Sequence, residues 1–204
     1  MAILSIVQHP DPRLSVPGKK VEKITDEIKK IVEDMFETHY SQNNCAALAA
    51  TQLGLPWCIT VIDFSEKKDQ PLCLINPEII SGEGETLEPE GCMSVSGVYE
   101  KVSRYEKVTV RALDLDGRVK EYVEDGFMAK CMQHEIDHLR LYHKKNHKPD
   151  LFKALPVHNL LNKLIRHHYL EMSQKINTTQ NLYQLEHIAF QVSLLHCLCC
   201  NMHR

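Results

Sequence analysis

The residues of this chain best equipped for chemistry lie in one run, His134-Glu135-Ile136-Asp137-His138. On a helix the i, i+4 spacing puts both imidazoles on one face, one turn apart, where they can share a divalent cation. Glu135 stands beside them as a base for the water such a cation acidifies, whose pKa falls from about 15.7 towards about 7. That is the equipment of a metal-dependent hydrolase. The run alone also fits a solvated helix face rich in His and Glu, and a third ligand separates the two readings. Cys92, in Glu88-Pro89-Glu90-Gly91-Cys92-Met93-Ser94-Val95, is the candidate. A cysteine beside glycine in a polar turn is not a usual core thiol, whereas Cys58, Cys73 and Cys131 sit in apolar runs. Two imidazoles and one thiolate leave a position open for water, the pattern of a catalytic site and not of a closed structural one.

Hydrophobic periodicity supplies the elements that must position these groups. Ile24, Ile28, Ile31, Met35, Phe36 and His39 recur at spacings of three and four, which predicts an amphipathic helix over 24–39 with Thr25 or Asp26 as N-cap. Short β-rich runs follow at 59–64 and 72–75, the second closed by Asn76-Pro77. Alternation of Val108, Val110 and Ala112 predicts a strand over 107–115, and Asp116-Gly117 offers a hairpin turn into 119–123. Residues 127–141 carry no Pro or Gly and form the second main helix, the one bearing His134 and His138. Pro149 and Pro156 bracket a break before a third amphipathic helix, 157–172, with a basic face. Helices enclosing antiparallel strands make an α+β domain, with small sheets around a central helix.

With 204 residues, 43% of them hydrophobic and 25% charged, the chain has a globular composition that excludes disordered, collagenous and low-complexity classes. The length favours one domain with an appendage. Eight cysteines are spread through apolar segments, and the start of the chain has no basic region ahead of its short apolar run. Both features point to a reducing cytoplasm, with special cysteines acting as ligands rather than half-cystines. The apolar stretch 188–200 is broken by Gln191, Ser193 and His196 and is too short to span a bilayer, so no membrane segment is expected. Net charge is −3, yet residues 140–175 hold eight Lys/Arg against Asp150 and Glu171. That segment is either a solvated helix face or a contact for an anionic partner.

These motifs resemble the peptide deformylase family. Its second motif is similar to Glu90-Gly91-Cys92-Met93-Ser94, with Met93 where the family usually has Leu, and its third to Gln133-His134-Glu135-Ile136-Asp137-His138-Leu139. The first motif, usually G-x-G-L-A-A-x-Q, corresponds to Cys45-Ala46-Ala47-Leu48-Ala49-Ala50-Thr51-Gln52. His9-Pro10-Asp11-Pro12-Arg13-Leu14, Met35-Phe36-Glu37-Thr38 and Ile75-Asn76-Pro77 extend the likeness over residues 3–139. The resemblance implies a deformylase-like catalytic domain over 1–172 and a C-terminal extension of unknown role over 173–204. It implies removal of the formyl group from the formyl-methionine of newly made polypeptides in the cytoplasm. Cys92, His134 and His138 would hold one divalent metal per chain, Fe(II) by type, with Ni(II), Co(II) or Zn(II) able to substitute. Glu135 would be the base, and Gln52 with the backbone N–H of Met93 would bind the oxyanion. Ala47, Leu48, Gly91 and Cys131 would line the substrate. The partners implied are the formyl-Met nascent peptide and, through the basic segment 140–172, the ribosome, with no sequence-specific nucleic acid and no membrane.

The chain also departs from the pattern. Cys45 and Ala47 replace both glycines of the first motif, and if either glycine served a positive φ or the close approach of a substrate backbone, a Cβ there would strain the chain or narrow the cleft. Cys45 is then a small wall residue or a reactive thiol near the metal. His143 and His147 repeat the i, i+4 spacing within the basic segment, as solvent-facing residues or an accidental second metal site, and His196, Cys197, Cys199, Cys200 and His203 match no defensible zinc spacing. Two competing readings follow: a catalytically weak paralogue that binds metal with formyl-peptide or ribosome, and a zinc endopeptidase, for which Gln52 and Glu90-Gly91-Cys92 would have no purpose.

Overall fold

Thr25 starts the first helix by accepting a hydrogen bond from the Ile28 N–H at 3.3 Å, and α1 runs over Asp26–Ser41 with Asp26 and Glu27 in its first turn. Acidic groups there complement the positive end of the helix dipole. The computed structural model describes residues 2–140. The expected helix 157–172, the basic segment beyond Arg140, the tail clusters and the boundary after residue 172 all lie outside the described residues.

After α1 come β1 (Ala47–Ala49), a 3₁₀ turn (Ala50–Leu53), β2 (Ile59–Ile62), β3 (Leu72–Glu83), β4 (Thr86–Cys92), β5 (Val95–Arg104), β6 (Lys107–Leu113), β7 (Val119–Asp125) and α2 (Gly126–Leu139). Five strands form one antiparallel sheet in the order β1-β2-β3-β6-β7, and β4 pairs with β5 in a separate two-stranded sheet. All four residues of β2 are buried, and they alternate between the two helices. Ile59 and Val61 join Ile28, Val32, Met35 and Leu48 in the core beneath α1. Ile62 instead packs with Leu74, Val108, Val110, Ala129, Met132 and Ile136 beneath α2. Burial on both faces explains why β2 reads as a continuous apolar run.

Three expectations need correction. β3 does not stop at Asn76-Pro77 but passes through it with a register shift between Ile75 and Glu78. Asn76 takes φ 53°, and its side-chain amide pairs with both backbone groups of Val21, at 2.9 and 2.8 Å. A turn signal is thus absorbed as a bulge, where proline's missing N–H does least harm. The β4–β5 hairpin was not foreseen, because Thr86–Cys92 is polar and contains Pro89 and Gly91 without alternation. α2 ends at Leu139, two residues early, because Arg140 is already extended and gives its N–H to the Ile136 carbonyl at 3.1 Å.

Candidate functional site

Two elements deliver the metal-capable side chains. α2 presents His134 and His138 one turn apart, and β4 ends at Cys92, so the polar turn is Met93-Ser94 and the cysteine closes the strand before it. Cys92 Sγ lies 3.2 Å from His138 Nε2, which lies 3.3 Å from His134 Nε2. One donor atom from each of the three residues falls within 4.8 Å of the other two, and no other such group occurs among the described residues. Burial pushes the Cys92 thiol up, but the charges and hydrogen bonds of His138 and His134 outweigh it and hold the thiol well below its ordinary value. A thiol held low by two imidazoles, with their ring nitrogens converging on it, fits a borderline-soft divalent metal.

The imidazole of His134 is aimed from behind. Its Nδ1 lies 3.0 Å from Glu90 Oε2, which leaves Nε2 for the centre. Glu90 is in turn gripped by Arg104, whose Nε and Nη2 donate to its two oxygens at 2.8 and 2.9 Å, while Nη1 donates to Asp137 Oδ2 at 2.6 Å. The Arg104 side chain is only 4% exposed. Burial raises the Glu90 carboxyl, yet Arg104 and His134 hold it down to about 2. This buried fork ties the two-stranded sheet that carries Cys92 to the helix that carries both histidines. Sequence reasoning missed it: Glu90 was visible inside a motif, but nothing local distinguishes Arg104 at the end of β5.

The first motif closes the other side. Its strand and 3₁₀ turn bury Gln52, whose Oε1 accepts from the Ala49 N–H at 2.9 Å and whose Nε2 donates to Ser94 Oγ at 3.2 Å and to Cys92 Sγ at 3.5 Å. Thr51 Oγ1 donates to the His138 carbonyl at 2.9 Å, anchoring the last turn of α2. Glu135 is 4% exposed, its Oε2 3.5 Å from Thr60 Oγ1. Burial pushes its carboxyl up while His134 and His138 pull the other way, and the balance is a raised value. A buried carboxyl beside the two histidines is placed to take a proton and pass it on.

Of the expected substrate-lining residues, the structure brings Ala47 and Cys131 together in the core beneath α2, while Leu48 faces the α1 core at 0% exposure. Leu48 is closed off in backbone and side chain alike, its carbonyl accepting from Thr60 Oγ1 at 3.1 Å, so it is a core residue and not part of the substrate wall. Gly91 is exposed, and a Cβ there would stand 2.8 Å from the Tyr99 ring. Neither Cys45 nor Ala47 has a positive φ; the left-handed residue is Asn44, at 56°. The two lost glycines therefore leave no strain. Cys45 is half-buried and gives its thiol to the Ala47 carbonyl at 3.3 Å, and burial pushes that thiol up to about 12. It is a protonated wall group, not an activated nucleophile.

The model of the polypeptide deformylase family matches residues 3–146. This chain belongs to that family. Peptide deformylase 1 of Coxiella burnetii (strain RSA 493 / Nine Mile phase I) is 58% identical over 140 residues, 67% of this chain and 82% of that relative. A peptide deformylase from Legionella pneumophila matches with a TM-score of 0.65 and 37% identity, covering 82% of this chain and 98% of that one. One from Synechococcus elongatus, solved with actinonin, matches at 0.63 and 39% identity over 67% of this chain and 73% of that one. Deformylases depend on a metal and remove the N-formyl group from nascent peptides, and this chain is a hydrolase of that kind. An endopeptidase reading is thereby replaced. No helix among the described residues is long and apolar enough to cross a membrane.

Proposed function

We propose that this chain deformylates N-formyl-methionyl polypeptides at the centre where β4, α2 and the first motif meet, with Cys92, His134 and His138 as ligands of one divalent metal. The observation that carries the reading is the convergence of Cys92 Sγ and the two Nε2 atoms beside a buried carboxyl, Glu135. A metal held there supplies Lewis acidity and lowers the pKa of water. Glu135 takes the proton from the attacking water and passes it to the departing amine nitrogen, so formate and a free amino terminus result. The Gln52 amide and the Met93 N–H donate to the developing oxyanion; Gln52, held at Oε1 by the Ala49 N–H, keeps both N–H bonds pointed towards Ser94 and Cys92. Ala47, Gly91 and Cys131 line the peptide.

Fe(II) suits the thiolate and imidazole donors, and Ni(II), Co(II) or Zn(II) can occupy the same set. A ferrous site with a thiolate ligand would lose activity in air. The same reading places the chain in the cytoplasm, where its substrates are made, and gives the basic segment 140–172 a role in phosphate contacts with the ribosome. Cosedimentation with ribosomes that weakens steeply with salt would test that role.

The decisive experiment is deformylation of a short formyl-Met peptide by protein purified without oxygen and loaded with Fe(II) or Ni(II), beside Glu135→Gln. The expected result is turnover in the range of about 1–10³ s⁻¹. Glu135→Gln should lose at least about 10²-fold while keeping its metal, because it deletes a base and not a ligand. Unchanged activity in that variant would refute the mechanism, and a metal-loaded parent without turnover would favour a binding paralogue.

A further inference from the structure

Three segments that are distant in sequence must agree to within a fraction of an ångström for the oxyanion donors to converge, and the chain's first extended segment touches two of them. The Val7 N–H donates to the Gln52 carbonyl at 2.8 Å, and the His9 N–H donates to the Ser94 carbonyl at 2.8 Å. Gln52 Nε2 closes the circuit on Ser94 Oγ at 3.2 Å. Between Val7 and His9, the side chain of Gln8 reaches the same turn: its Nε2 donates to the Met93 carbonyl at 3.0 Å, and its Oε1 accepts from Ser96 Oγ at 3.1 Å. Residues 7–9 therefore lie as a strap across the first motif and the Met93-Ser94 turn.

We propose that Gln8 is a positioning residue for the deformylation reaction, setting the Met93-Ser94 turn so that the Met93 N–H and the Gln52 amide meet the same oxyanion. The proposal rests on the oxyanion role given above to those two donors. Two of the strap's hydrogen bonds to this region run backbone to backbone, and Gln8 adds a side chain that spans the turn from Met93 to Ser96. Fixing the Met93 carbonyl fixes the peptide plane between Met93 and Ser94, and with it the torsion that separates that plane from the Met93 N–H. Gln8 itself is exposed and touches none of the metal-capable atoms, so its loss leaves the ligand set and the core unchanged. Small displacements of preorganised donors act on the transition state more than on ground-state binding.

The test uses the full, metal-loaded chain as parent, Gln8→Ala and Gln8→Glu, with kcat and KM on a formyl-Met peptide, metal content, Tm and amide exchange of the ¹⁵N-methionine-labelled protein. Gln8→Ala should lower kcat about three- to tenfold with KM within twofold, metal and Tm unchanged, and faster exchange at Met93. Gln8→Glu has the same shape but, when ionised, sets a charge against the Met93 carbonyl. Its kcat should fall as far at neutral pH, with KM, metal content and Tm again unchanged. A purely structural role would move Tm or metal content together with kcat, and KM with them. A Gln8→Ala kcat within twofold of an active parent, or a loss that tracks Tm or metal, overturns the role of Gln8 alone. An inactive parent overturns the reading of the site and this proposal with it.

Discussion

Arg104→Ala is the sharpest test of how the site is held together. The guanidinium is 4% exposed and holds both oxygens of Glu90, whose side chain is 13% exposed, and one oxygen of Asp137, whose side chain is 32% exposed. Asp137 can recover water when the arginine goes, so its share is small. Glu90 cannot, and keeps only His134 Nδ1 as a partner. Removing one member of a buried pair typically costs about 3–5 kcal/mol, and the lower end applies to a carboxylate that retains one bond. A loss of about 3 kcal/mol lowers Tm by about 6–12 °C in a domain of this size. Because Glu90 also orients His134, metal affinity should fall by about 10–100-fold. Thermal unfolding of the metal-free chain and competition with a chelator measure the two effects separately. The sign with pH is fixed as well. Glu90 is held down to about 2 in the folded chain, so its contribution is present above the ordinary carboxylate range and fades as pH falls towards 2. The stability gap between parent and variant should narrow over that window. A Tm change under about 2 °C with metal affinity within twofold would refute the argument that this fork docks the β4–β5 sheet onto α2.

Two further outcomes follow from other contacts. Cys92→Ser exchanges a soft thiolate for a poor hydroxyl ligand and should lose most of its metal, measured as metal per chain after gel filtration; full retention would place the third ligand elsewhere. Tyr40 donates its hydroxyl to Asp63 Oδ2 at 2.8 Å, and burial first, then Asp63, pushes it up to about 12. A raised folded value stabilises the chain below about 10 and loses that contribution as pH rises through 12. Denaturant titrations at pH 8 and 11 should therefore show a steeper alkaline loss for the parent than for Tyr40→Phe, and equal slopes would refute the Tyr40–Asp63 linkage.

Much of this was written in local patterns. The i, i+4 pair His134 and His138 with Glu135 needs only a helix to become a chelate with a base beside it, and helical periodicity in 24–39 needs only a core to become α1. Cys92 was legible because glycine and polar neighbours set it apart from the cysteines in apolar runs. The β4–β5 hairpin was not legible, since β4 buries no residue and β5 only Val102 and Arg104, too few to impose alternation on the sequence. Asn76-Pro77 reads as a stop in any local view, and becomes a bulge because Val21, 55 residues away, satisfies its amide.

By itself, then, the sequence determined which groups could bind a metal and move a proton, because those depend on residue type and on spacing within one helix. Only the tertiary structure decided that Cys92 meets the two histidines and that Gln52 reaches across to Ser94. It alone decided that Arg104 joins Glu90 to Asp137 and that Cys45 and Ala47 leave the backbone unstrained. These are contacts between segments whose separation along the chain is large, and the free energy that selects them comes from burying both faces of β2 between α1 and α2. No local pattern records which distant partner a buried charge or amide will find.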